Sequence, residues 1–148
     1  MIEISMQEKT TPLPAKIGTH WFENENIGLL RTLFHRIEIP LAPFNTGQDY
    51  IDQPEKTSVY IDWINLSLDD PSALGNLKIS HSTHPEMEAS VYIGAAHNPI
   101  EVLNLGIVSN ESDLLLELDL HVDFEDEGVG MNETFKLRTT AAYIGESW

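Results

Sequence analysis

Cysteine is absent from the 148-residue chain. That excludes disulfides, thiolate nucleophiles and Cys-ligated zinc. Positive charge is scarce: Lys and Arg total 8 against 24 Asp and Glu, a formal net charge of -16. Affinity for nucleic acid and for anionic membranes is carried largely by Lys and Arg, so neither is an expected partner. Apolar runs fall far short of the roughly 20 residues that span a bilayer. Met1 to Pro14 has no basic segment followed by an apolar run. No signal peptide is therefore expected, and the cytoplasm is the expected compartment.

Reaction signatures are missing too. There is no G-x-S-x-G, no phosphate-binding P-loop, no G-x-G-x-x-G and no H-E-x-x-H, which removes the sequence marks of several hydrolases, nucleotide binders and zinc proteases. Carboxylate pairs for glycoside hydrolysis need a cleft and a set separation. With 24 acids some pair arises by chance. A non-enzymatic role is the expectation.

What is present suits one globular domain over residues 1–148. Hydrophobic residues make up 41% and charged ones 22%, with 3 Trp, 4 Tyr and 5 Phe to anchor a core, and the length suffices for a core without staples. Within the first 16 residues, Gln7–Lys16, with Pro12 and Pro14, reads as an extended arm or an edge segment. Ile27, Leu30, Phe34 and Ile37 recur at steps of three or four, with Leu29 and Leu33 beside them, which predicts a short helix from Asn24 to Arg36. Asn24 or Asn26 would cap it, and Gly28 speaks against it.

After Asn45–Lys56 the period becomes two. Ser58–Leu68, Asn76–Ser82, Ala89–His97 and Val102–Ser109 read as strands. They are separated by turn signals at Asp69-Asp70-Pro71, His84-Pro85, Asn98-Pro99 and Ser109-Asn110. The fold class is thus mainly β: an antiparallel sandwich or open barrel with one short N-terminal helix.

The last third is the plainest. Leu114, Leu116, Leu118, Leu120, Val122 and Phe124 alternate with Glu117, Asp119, His121, Asp123 and Glu125. A strand sends alternate residues to opposite faces, so one face is core and the other an acidic ladder. Phe135, Leu137 and Tyr143 repeat the pattern after a turn holding Gly128 and Gly130, with Lys136 and Arg138 outward. Opposing Phe124 to Phe135 matches the core faces and sets Asp123 against Lys136 and His121 against Arg138; a shift by two residues keeps the same faces.

Asp119, Asp123, Glu125, Asp126 and Glu127 invite a calcium reading, but they lack calcium-loop spacing. His81, His84 and Glu86 resemble metal ligands in what reads as a turn. The expectation is a protein that works without metal or cofactor. Trp21, Phe22, Phe44, Tyr50, Trp63 and Tyr92 offer a sugar platform, against which stands their use as core; Trp63, in an apolar strand, is expected inside, and Trp148 ends the chain. The function expected from these features is a small acidic inhibitor of a basic protein, most plausibly a bacterial immunity protein neutralising a cognate toxin such as a nuclease. Its partner-binding residues would be Glu117, Asp119, Asp123, Glu125, Asp126 and Glu127. The alternatives are a ligand- or calcium-binding β-sandwich module, or an accessory subunit of a phage or secretion assembly.

Overall fold

The computed structural model describes residues 1–146; Trp148 lies outside them. Alternating apolar residues become eight strands: β1 (Ala15–Asn24), β2 (Leu29–Pro40), β3 (Ser58–Ile64), β4 (Leu77–Ile79), β5 (Glu88–Ile93), β6 (Ala96–Asn110), β7 (Asp113–Val122) and β8 (Glu133–Gly145). Seven of them close on themselves in the order β6-β5-β3-β2-β1-β8-β7, β7 pairing back to β6. Short β4 pairs with the second half of β6, beyond the stretch that β5 covers.

The fold is therefore a closed barrel: of the two expected architectures the sandwich is corrected, and the open barrel is met in part, since the sheet closes. Each buried strand face needs a partner layer in a sandwich, whereas a closed sheet buries its faces against one another and has no edge to protect. Strand parity sets the seam. Directions alternate around seven strands, so the first and last run the same way. β1 and β8 accordingly pair in parallel, from Ala15 opposite Ala141 to Gly18 opposite Gly145, while the other pairings are antiparallel.

The inside is filled. Ile17, Ile37, Ile61, Val91, Val102, Leu118, Leu120 and Phe135 belong to one buried cluster, as period-two faces require. Outward neighbours on the same strands are charged, among them Lys16, Glu38, Glu117 and Arg138. That arrangement is the inverse of a membrane barrel, whose outer band is apolar. No helix among the described residues is long and apolar enough to cross a membrane.

One end of the barrel is plugged by the N-terminal segment and two loops. Ile4, Met6, Phe44, Phe124 and Val129 are buried there. The Met131 amide donates to Ile2 O at 2.8 Å, and Gln48 Nε2 donates to Val129 O at 2.7 Å. Residues 1–16 hold a helix, α1 (Met6–Lys9), and Pro12 forms a bridge with Leu41. The opposite end is covered by the segment before β4, through buried Leu74 and a contact of 2.8 Å between His35 Nε2 and Pro71 O.

The helix expected from Asn24 to Arg36 is instead a β-hairpin. Asn24 caps a 3-10 turn, Glu25–Ile27, by accepting from the Asn26 amide at 3.0 Å, and Gly28 follows at φ 71. That left-handed residue ends the turn where a helix would have to continue. The helical spacing arose because this ribbon carries apolar residues on both faces. One is Phe34, which joins an aromatic cluster outside the barrel.

The final hairpin also differs from expectation. Leu120, not Phe124, stands opposite Phe135, so Asp119 faces Lys136 and Glu117 faces Arg138. Phe124 has left the ladder to plug the barrel end, fully buried. Satisfying that plug lengthens the loop to the ten residues between Val122 and Glu133.

Candidate functional site

β3 carries an irregularity that shapes its outer wall. His35 pairs with Ile64 and Ile37 with Ile61, so Asp62 and Trp63 together oppose Arg36. This is a β-bulge, and bulges re-aim side chains. Strict alternation would send Trp63 inward, as the sequence suggested. With φ 58 at Trp63, the ring turns outward instead and is half-buried. It packs edge-on against His20, Phe22 and Phe34 at ring-centre separations of 5.1, 5.0 and 5.2 Å. A bulky residue in the left-handed region is strained, so its surroundings must hold it there. Part of that hold is local: the Trp63 amide donates to Asp62 Oδ1 at 2.8 Å.

The bulge forms one end of a trough of about 840 Å³ on the outer wall. Its sides come from β2 (Arg36, Glu38), β3 (Tyr60, Asp62), β5 (Glu88, Ser90, Tyr92) and the start of β6 (His97, Pro99). A second depression of about 540 Å³ continues it toward Pro40 and Pro43, and the two share Glu38, Tyr60 and Tyr92. Tyr60, Trp63 and Tyr92 share the trough with Glu38, Asp62, Glu88 and Arg36.

Charge in the trough is mixed: Arg36 lines it beside Glu38, Asp62 and Glu88, and Lys56 lines its continuation. Asp62 stands directly opposite Glu88 across the β3–β5 pairing, and like charges facing each other on one sheet face repel. Arg36 Nε lies 3.7 Å from Asp62 Oδ2, and His20 Nε2 lies 3.9 Å from Asp62 Oδ1. Glu38 is met by Lys16 Nζ at 3.7 Å and by the Ser58 hydroxyl at 3.2 Å. Glu88 is exposed.

The acidic residues singled out in the sequence divide into two groups. Glu117 and Asp119 lie on the β7 wall, where Arg138 Nε bonds Glu117 Oε1 at 3.1 Å and Lys136 stands opposite Asp119. One Asp119 oxygen is buried with no hydrogen-bond partner. Asp123, Glu125, Asp126 and Glu127 sit in the loop at the plugged end. There Asp123 Oδ1 accepts from the Asp126 amide at 3.1 Å, and Glu125 Oε2 accepts from the Asn132 amide at 3.2 Å. Two of these carboxylates therefore hold the loop's shape, while Asp126 and Glu127 are exposed.

Among the described residues, no group of three or more His, Asp or Glu gathers in a way that would hold a metal. His81 has both ring nitrogens engaged: Nδ1 accepts from the Val102 amide at 2.7 Å, so Nε2 carries the proton and donates to Met87 O at 2.8 Å. It fastens the β4–β5 connection to β6. His84 Nδ1 meets Thr83 Oγ1 at 2.8 Å in an exposed turn. Of the aromatic residues, Phe44 is buried, whereas Tyr50, Trp21, Phe22 and Tyr92 are exposed.

Sequence reasoning missed the trough. Its members come from four strands, and its one local mark, the consecutive outward residues Asp62 and Trp63, breaks the alternation that sequence reading assumes. Compared with protein families, curated proteins and solved structures, the chain matches none.

Proposed function

We propose that this barrel is a binding protein whose partner is a cationic protein, and that it acts as an inhibitor of the immunity type, neutralising a basic toxin such as a nuclease. The observation that carries the reading is the charge imbalance displayed on a closed, filled scaffold. With 24 acidic side chains against 8 Lys and Arg, carboxylates outnumber these cations by 16. The interior is occupied by side chains, so binding falls to the outer surface. A nuclease surface is basic because it must hold phosphate, and an acidic surface of this kind competes for it. In this reading Glu117, Asp119, Asp123, Glu125, Asp126 and Glu127 contribute mainly to the field that steers a basic partner, since several already serve contacts within the chain.

The test is co-expression with the product of the adjacent gene. The expected result is protection from that product's toxicity and a complex whose association slows as salt rises. Asp126→Asn combined with Glu127→Gln should slow association further, leaving the fold intact because both side chains are exposed. Failure to protect, together with no salt-sensitive complex, would refute the reading.

A further inference from the structure

We propose that the trough on the β2–β3–β5 wall is a binding site for a neutral glycan, a short run of β-1,4-linked sugar units lying along the strands. Such a ligand is separate from the cationic partner, and neither depends on the other.

The lining itself disfavours a charged ligand. Arg36 shares the trough with Glu38, Asp62 and Glu88. Lys16 meets Glu38 at 3.7 Å, and Lys56 lines the continuation. A cation placed there meets a like charge, and so does an anion. A neutral ligand avoids both penalties if it can satisfy donors and acceptors together. Carboxylates only accept and a guanidinium only donates, whereas a hydroxyl does both. A polyhydroxyl ligand matches such a mixture, and hydrogen bonds to ionised groups are the stronger kind.

The aromatic residues supply the other half of sugar recognition. A pyranose carries C–H bonds on its faces and hydroxyls around its rim. It therefore stacks by a face on an aromatic ring while its rim bonds polar neighbours. Tyr60, Trp63 and Tyr92 line the same space as the charged groups. Tyr92 is 44% exposed although its ring packs edge-on against His97 at 5.2 Å, which leaves ring surface open. Trp63 reaches the trough only through the bulge, at φ 58. Backbone strain of this kind gathers at ligand sites, where it serves to place a side chain.

Shape narrows the linkage. The trough of about 840 Å³ is of the size that holds small ligands, and it continues past Glu38, Tyr60 and Tyr92 toward Pro40 and Pro43. From Asp62 to Ser58 along β3 is about 13 Å at the rise of a strand. A site drawn out along one strand suits a β-1,4 chain, which is flat and extended, better than an α-1,4 chain, which coils.

The neutral probe is fully N-acetylated chitotetraose. Deacetylated chitotetraose, at mildly acidic pH where its amines are charged, is the cationic control, and maltotetraose is the coiled neutral one. Each is titrated into the full chain and read by NMR shift mapping and calorimetry. The acetylated chain should bind with the largest shifts at Tyr60, Trp63, Glu88 and Tyr92. Its affinity should change less than about twofold between about 0.05 and 0.5 M salt. Maltotetraose should bind about tenfold more weakly or worse. E88Q together with Y92A alters two exposed side chains and should weaken binding of the acetylated chain about tenfold or more. Asp126→Asn with Glu127→Gln should leave it within about twofold.

If the deacetylated chain binds and the acetylated one does not, the attraction is charge alone and the glycan site falls. If the acetylated chain binds wild type and E88Q with Y92A equally, the sugar lies elsewhere and the trough is overturned as its site. Equal binding of maltotetraose overturns the β-1,4 assignment. No binding of the acetylated chain at about 10 mM, far weaker than the millimolar range of simple ligand contacts, overturns the site outright. The toxin co-expression decides the cationic-partner reading independently of all four.

Discussion

His35 is buried inside the barrel end with one ring nitrogen engaged and the other bare. Nε2 meets Pro71 O at 2.8 Å and so must donate, which leaves Nδ1 buried without a partner. Desolvation lowers its pKa from the ordinary 6.5, outweighing the opposing effect of the Pro71 bond. Because the folded state resists protonation, the neutral ring's contribution is complete above the unfolded value and is lost as pH falls toward the folded one. The His35 contribution to thermal stability should thus be lost as pH falls below about 6.5 toward the lowered folded value, and His35→Gln should remove that loss. A variant with the wild-type slope would remove His35 as its source. Glu133 runs in the opposite sense: burial raises its pKa, against the Met6, Gln7 and Ser5 amides that lower it. Its contribution is present below the ordinary 4.5 and is lost as pH rises through the raised value. Comparing variant with wild type separates the two.

Asp62 is the other residue with several duties. It accepts from the amide of the strained Trp63 and faces Arg36 and His20. Asp62→Ala should destabilise by about 1.5–3 kcal/mol, the range for a lost hydrogen bond to a charged acceptor. Chemical denaturation with intrinsic Trp fluorescence measures this; a loss under about 0.5 kcal/mol would mean that the bulge holds itself.

At the scale of elements, the β7–β8 hairpin shows what decides register. A shift of two residues leaves every core face correct, so patterning cannot choose among registers that differ by two or four. The choice falls to the loop, where Phe124 plugs the barrel and Gly130 passes the N-terminal segment. A Cβ on Gly130 would lie 2.8 Å from Ile2 O. Phe124→Ala should therefore cost about 3–5 kcal/mol although the residue lies outside any strand. Leu120→Ala, within β7, should cost about 2–5 kcal/mol. Urea titration monitored by circular dichroism checks both. A near-neutral Phe124→Ala would mean that the end plug contributes little and that the strand pairing sets the register alone.

At the scale of the whole molecule, closure and charge act against each other. Closure leaves short β4 as the strand paired on one side only, and short edge strands limit edge-to-edge pairing. Most of a net charge of -16 lies outside the strands, in the loops and at the barrel ends, and self-repulsion of that size favours expansion. Raising salt from about 10 mM to about 150 mM shortens the screening length from roughly 30 Å to 8 Å and should raise the melting temperature. A melting temperature indifferent to salt would show that the carboxylates are already neutralised, by bound cations or by one another's protons.

Taken alone, the sequence determined the class and the faces. Alternation from Leu114 to Val122 and from Phe135 to Leu137 forces strands with one apolar side, and Leu118, Leu120, Val122, Phe135 and Leu137 are indeed core. It also determined the acidic surface, since charge is a sum over composition. The hairpin in place of a helix was half legible: Gly28 marked the break, but apolar residues on both faces of the ribbon imitated helical spacing. Tertiary structure alone decided closure into a barrel, the parallel β1–β8 seam, the register of the last hairpin and the outward turn of Trp63. Those depend on contacts between residues far apart in the chain. A period of two is blind to them because it repeats unchanged under every shift of two and says nothing of which strand lies beside which.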